Sequence, residues 1–123
     1  MPSEEEVSNF IRATFRSVWA LELLCFLRQD RLRSLSHEEM VAGLRGSDLV
    51  VTQSVNALTA AGLVVADADG SARYNPASED LGRLVEGAAA LYARSPDAVR
   101  RTIVAAANPA ITAFADAFKI WKD

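Results

Sequence analysis

The middle of the chain carries a dense series of helix boundaries, which constrains the fold more than any other feature. Ser36 and Glu39 have the spacing of a capping box, so a short helix is predicted from there to about Leu44. Gly46 interrupts this helix, and Ser47 is a typical cap for the next one. Two helices joined by a tight turn are therefore predicted.

The second helix of this pair, predicted over residues 48–61, leads into a different pattern. Gly62 is a typical helix stop, because glycine adopts the left-handed backbone conformation with little strain. Residues 63–66 and 71–74 favour strands, and the Asp-Ala-Asp-Gly sequence between them favours a turn. A small β-hairpin is therefore expected after the helix pair.

The N-terminal part supplies most of the apolar side chains for a core. Ser3 and Glu6 have capping-box spacing, and apolar residues recur at helical intervals up to Val18, which predicts a helix or helix pair. Nearly every position from Trp19 to Leu27 is apolar, so other elements must surround this stretch. With 123 residues, half of them hydrophobic, the chain can build one contiguous core.

Two features indicate where the protein works. The apolar run is far shorter than the roughly 20 residues that a bilayer crossing requires, so we expect no membrane span. The N-terminus contains three consecutive glutamates, whereas a signal peptide begins with basic and then apolar residues. We therefore expect a cytoplasmic protein.

The C-terminal part is predicted to be helical. Ser78 begins an amphipathic helix, and Ser95-Pro96 and Asn108-Pro109 each combine a cap with proline at the first helical position. The expected fold class is therefore mainly α with a small β-hairpin and additional C-terminal helices.

Residues 47–65 resemble the recognition helix and first wing strand of MarR-type and ArsR-type bacterial transcriptional regulators. Residues 58–64 match the Leu-x-x-x-Gly-Leu-Val ending that is common in these families. The resemblance covers about residues 16–76. It implies a winged helix-turn-helix domain over residues 1–76, with residues 77–123 as a helical extension that shares its core and a dimer interface.

The resemblance also implies a function, which is transcription regulation by binding duplex DNA. The third helix would enter the major groove, where Gln53 and Asn56 pair with adenine edges and Thr52 contacts a base or a thymine methyl. Ser47 and Arg45 would contact phosphates, and Arg73 in the wing would lie near the minor groove or the backbone. For the three helix residues, an ordinary solvated helix face is the alternative interpretation.

The charge distribution departs from the pattern of these families. Residues 36–73 carry five acidic residues against two basic ones, and the whole net charge of −3 arises there. DNA-binding surfaces usually carry several cations, because neutralising phosphates supplies most of the non-specific affinity. An alternative function therefore stays open, in which the domain binds no DNA and its acidic face binds a basic protein partner.

A second arginine cluster precedes this segment. Arg28, Arg31 and Arg33 follow a predicted helix end, where they either contact phosphates or stabilise the helix dipole. The dipole interpretation is the one that we favour.

No residue pattern indicates catalysis, a metal or a cofactor. Cys25, the only cysteine, lies in the apolar run and is expected to be a buried, inert thiol. His37, the only histidine, stands beside two glutamates, but adjacent helical residues point in different directions, so a solvated face is expected. We expect that the protein is not an enzyme.

Large apolar residues recur at helical spacing near the C-terminus. They either pack back on the N-terminal helix or cross to a second chain, as terminal helices do in related dimeric regulators. We expect a homodimer, with an interface drawn from Phe10, Ile111, Phe114, Phe118 and Trp121. A weaker alternative is a ligand-sensing regulator with an apolar pocket between the core and the C-terminal helices.

Overall fold

A computed structural model describes residues 2–107, which form a mainly helical fold with one small antiparallel sheet. The elements are α1 (Glu4–Thr14), α2 (Val18–Gln29), α3 (His37–Leu44), α4 (Asp48–Ala60), β1 (Val64–Ala66), β2 (Ala72–Tyr74), α5 (Glu79–Arg94) and α6 (Pro96–Ala107).

Serine caps set the helix starts that the sequence predicted. Ser3 and Ser36 each form a complete capping box, in which the serine hydroxyl accepts a backbone N–H and a glutamate accepts the serine N–H. Ser47 and Ser78 cap α4 and α5 in the simpler way, through the hydroxyl alone. These contacts confirm the predicted helix starts. The starts were predictable because a cap depends on residues only three positions away in the sequence.

A break that the apolar spacing concealed separates α1 from α2. α1 ends at Thr14, Phe15 adopts an extended backbone, and Ser17 caps the new helix by accepting the N–H of Ala20. The helix pair is therefore the correct alternative. Phe15 is nonetheless fully buried, so the spacing correctly indicated its burial.

α2 lies at the centre of the core and contacts α3, α4, α6 and β2. Leu21, Leu23, Leu24 and Leu27 are almost completely buried, as expected for this apolar run. Trp19 is the most exposed apolar residue of the run, because 42% of it remains exposed at the start of the helix.

The junction between α4 and the hairpin depends on Gly62. This residue has a φ of +77°, a conformation that is costly for residues with a Cβ atom. Its N–H bonds to the carbonyl of Thr59, and its own carbonyl accepts the N–H of Ala77, so the turn is fixed from both sides.

The two strands pair with Val64 opposite Tyr74, Val65 opposite Arg73 and Ala66 opposite Ala72. A third segment joins this sheet, because Leu35 and Ala72 exchange two backbone hydrogen bonds of 2.8 and 2.9 Å. The hairpin is therefore attached to the chain immediately before α3 as well as to the end of α4.

The C-terminal helices complete the core on the side of α1. α5 and α6 contact α1 and each other, and Val85, Ala88, Val99 and Ile103 are buried there. Within residues 2–107, no helix is both long and apolar enough to cross a membrane. The predicted helix start at Asn108-Pro109 lies outside the described residues.

Candidate nucleic-acid interface

α4 separates its apolar and polar side chains as the sequence predicted. Val51 and Leu58 are almost completely buried, whereas Thr52, Gln53 and Asn56 are exposed. The spacing of these three residues places them on one helix face. The candidate base-reading residues are thus brought together on an accessible surface.

Leu49 extends the same face toward the start of α4. It lies three and four residues before Thr52 and Gln53, and it is 64% exposed. The sequence analysis did not identify this residue as part of the exposed face. The exposed face of α4 therefore begins with a large apolar side chain and contains no lysine or arginine. We call Leu49, Thr52, Gln53 and Asn56 the α4 face.

Ser47 has a structural role at the first turn of α4. Its Oγ accepts the N–H of Val50 at 3.1 Å, which caps the helix. The hydroxyl proton can still donate to an acceptor, and the uncapped N–H groups of the first turn carry partial positive charge. This end of α4 therefore suits an anionic oxygen.

Arg45 and Arg73 are both exposed. Arg45 is the C-terminal capping residue that follows α3, and it adopts the left-handed conformation, with φ 56° and ψ 35°, in the short connection to α4. Arg73 lies on β2 opposite Val65. Neither guanidinium lies within ion-pair distance of a carboxylate in the described part of the chain.

Most other arginines are already paired. Ion pairs within residues 2–107 hold Arg28, Arg31, Arg33, Arg83, Arg94 and Arg100. Those without such a pair, besides the two above, are Arg12, Arg16 and Arg101. Within residues 2–107, five arginines therefore form no ion pair with a side-chain carboxylate, and two of them are residues that the sequence assigned to DNA contacts.

Arg28, Arg31 and Arg33 form ion pairs with carboxylates of the same chain. Arg28 makes two hydrogen bonds to Glu86 on α5, and these bonds lower the pKa of that carboxyl group. Arg33 bonds to Asp30 and Glu39. The partners explain the cluster without a bound phosphate.

Several of the acidic residues within residues 36–73 form hydrogen bonds or ion pairs with nearby side chains. Glu39 closes the capping box of α3 and pairs with Arg33, and its bonds to Ser36 and Arg33 lower its pKa. Asp67 and Asp69 both accept the hydroxyl of Ser71 in the hairpin turn. These contacts fix the directions of the carboxylates, although the negative charge itself remains.

His37 joins the first turns of α3 and α4. Its Nε2 lies 2.9 Å from Oδ1 of Asp48, and 32% of its side chain is exposed. The prediction of a solvated His37 is therefore incomplete, because the side chain also contacts Asp48 on the next helix. No group of three or more potential metal ligands occurs within residues 2–107.

Cys25 is half-buried on α2. Burial, aided by the negative charge of Glu22, raises the pKa of its thiol to about 11. A thiol with such a pKa is almost entirely protonated at neutral pH and is a poor nucleophile. This is in keeping with the expectation of an inert residue.

Only one of the predicted dimer-interface residues lies within the described part of the chain. Phe10 packs edge-on against Phe15, with ring centroids 5.8 Å apart, and is 9% exposed. It therefore belongs to the chain's own core. Ile111, Phe114, Phe118 and Trp121 lie outside the described residues, so the dimer interface stays a prediction.

A cavity of about 580 Å³ lies between α1 and α5. Its apolar floor contains Val7, Gly87, Ala90 and Leu91. It lies between the N-terminal and C-terminal helices, near the place expected for an apolar ligand pocket. Nothing in its lining selects one ligand.

Comparison with protein-family models gave no match, and neither curated proteins nor solved structures gave a significant one.

Proposed function

We propose that the chain is a winged-helix DNA-binding module of the kind found in bacterial transcriptional regulators. The support is the order of α3, tight connection, α4 and hairpin, together with the backbone bridge between Leu35 and Ala72. In winged-helix domains the second helix of such a pair reads the major groove, and the hairpin is the wing.

The observation that carries the proposal is the composition of the exposed α4 face. Gln53 and Asn56 each offer a donor and an acceptor, which is the pairing that an adenine edge requires. Thr52 and Leu49 offer methyl groups for contact with thymine. Arg45 and Arg73, which lack ion pairs within residues 2–107, are available for phosphates on either side.

The same surface predicts a weak dependence on salt. Each neutralised phosphate contributes a slope of about −0.9 to the logarithm of affinity against the logarithm of salt concentration. Two arginines give a slope near −1.8, so affinity falls roughly tenfold between about 50 and 200 mM salt. A homodimer would place two such surfaces on one operator and double the slope.

A substitution series tests this assignment. Arg45→Ala and Arg73→Ala should each reduce the salt slope per chain by about 0.9, and Arg101→Ala on α6 is the matched control, since it is also exposed and unpaired within residues 2–107. If the salt slopes of Arg45→Ala and Arg73→Ala equalled that of the wild type, the two arginines would contact no phosphate. Circular dichroism confirms folding.

A second function is favoured by a different observation on the same face. Leu49 is 64% exposed, α4 carries no lysine or arginine, and residues 36–73 carry five acidic residues against two basic ones. An apolar anchor within an acidic surface suits a basic protein partner. In that case Leu49→Ala abolishes capture of the partner, and the chain binds no duplex DNA at low salt.

A further inference from the structure

α2, the most apolar of the helices within residues 2–107, contains one carboxylate that forms no ion pair in that part of the chain. Glu22 lies on α2 and is half-buried. Its Oε1 accepts the hydroxyl of Tyr92, and Arg100 reaches that hydroxyl at 3.2 Å instead of the carboxylate. Within residues 2–107, no lysine, arginine or histidine forms an ion pair with it. A shielded charge of this kind is usually compensated.

Glu22 lines a small cavity beside an exposed tryptophan. The cavity has a volume of about 320 Å³. Its walls are formed by Val18, Trp19, Glu22, Gly43 and Leu44. Trp19, one helical turn before Glu22, is 42% exposed, although tryptophan gains most when it is buried. Trp19 and Glu22 therefore both line this cavity.

These walls select one class of ligand. The face of an indole ring attracts cations, and it does so more strongly than other aromatic rings. The carboxylate adds an attractive charge and repels anions. Val18 and Leu44 offer apolar contact for alkyl groups, and Glu22 is the only acidic side chain in the lining, which is too few ligands for a bare metal ion.

We propose that this cavity binds a small organic cation, an ammonium group that carries a compact alkyl body. A volume of about 320 Å³ lies at the lower end of the range for ligand pockets, so the ligand must be small. The proposal rests on α2 and α3 and does not depend on DNA binding.

The cavity lies next to the start of α4. Trp19 Cζ3 lies 3.7 Å from the place that a Cβ atom on Gly46 would occupy, so the indole supports the connection between α3 and α4. Leu44 is the last residue of α3. A ligand in the cavity thus contacts the residues that hold the α4 face in position.

A titration with choline and its neutral carbon isostere, 3,3-dimethylbutan-1-ol, tests the proposal. The full chain with Trp121→Phe retains Trp19 as its single tryptophan. Choline should change the fluorescence of Trp19 in a saturable manner, with calorimetry giving the same affinity. The neutral isostere should bind at least about tenfold more weakly, because it lacks the charge. Sodium chloride at matched concentration controls for ionic strength.

Two variants locate the site. Glu22→Gln should weaken choline binding at least about tenfold, whereas Glu38→Gln, an exposed carboxylate on α3, should leave it unchanged. Since Glu22→Gln also alters the bond to Tyr92, Trp19→Leu provides a second variant, measured by calorimetry, at a partly exposed position. No saturable choline binding, equal binding of the isostere, or unchanged binding in both variants would overturn the assignment.

Discussion

The glycines at positions 62 and 82 should respond in opposite directions to the same substitution. At Gly62 the φ of +77° makes alanine costly by about 1–2 kcal/mol, whereas the nearest atom to an added Cβ, Ala77 Cβ at 3.4 Å, leaves enough room. Loss of unfolded-state entropy offsets part of this cost. Gly62→Ala should therefore lower the free energy of unfolding by about 1 kcal/mol.

Gly82 lies in the first turns of α5, where the backbone is helical. An added Cβ would meet Pro76 at 3.8 Å, which is ordinary van der Waals contact. Alanine is favoured over glycine in helices, so Gly82→Ala should raise the free energy of unfolding by about 0.5–1 kcal/mol.

Thermal unfolding followed by circular dichroism measures both changes. For a chain of this size, 1 kcal/mol corresponds to about 3–6 °C in Tm. Gly62→Ala should melt lower than the wild type by about that amount, and Gly82→Ala should melt higher by about 2–5 °C. A Tm for Gly62→Ala at or above that of the wild type would refute the left-handed turn between α4 and the hairpin.

Three further predictions concern single side chains. Ser36→Ala removes the cap of α3 and should cost about 1 kcal/mol in urea titrations, while Ser34→Ala at a neighbouring exposed position should change stability by less than about 0.5 kcal/mol. Cys25, with a pKa of about 11, should react with iodoacetamide at pH 8 far more slowly in the folded chain than in urea; equal rates would contradict its burial. The bonds from Arg28 lower the pKa of Glu86, so their contribution to stability is complete above pH 4.5, the ordinary value, and is lost as the pH falls through the lowered pKa. Glu86→Gln should therefore be less stable at pH 7 and lose less stability on acidification; parallel pH curves would argue against the pair.

Local signals made much of the fold predictable. The caps at Ser3, Ser36, Ser47 and Ser78 depend on contacts within three residues, which a sequence displays directly. The break before Ser17 was harder, because Phe15 and Val18 keep their helical spacing across it. The small sheet was predicted as a hairpin, but the bridge from Leu35 to Ala72 has no local pattern.

The candidate site was predictable only in part. The exposure of Gln53 and Asn56 follows from helical spacing. The exposure of Leu49 depends instead on which other elements pack against the first turn of α4. Which arginines remain free depends on partners far away in sequence, such as Glu86 for Arg28. Such pairings arise from tertiary packing, and no spacing rule indicates them.

DNA binding by the α4 face can be measured by fluorescence anisotropy of labelled duplexes from the gene's own upstream region. We expect binding at about 50 mM salt that weakens toward about 200 mM. A Gln53→Ala/Asn56→Ala variant, which alters only exposed side chains, should lose the preference for one duplex over a scrambled one. Absence of binding by the folded wild-type chain at low salt would contradict the proposed DNA-binding function and favour the protein-interaction function.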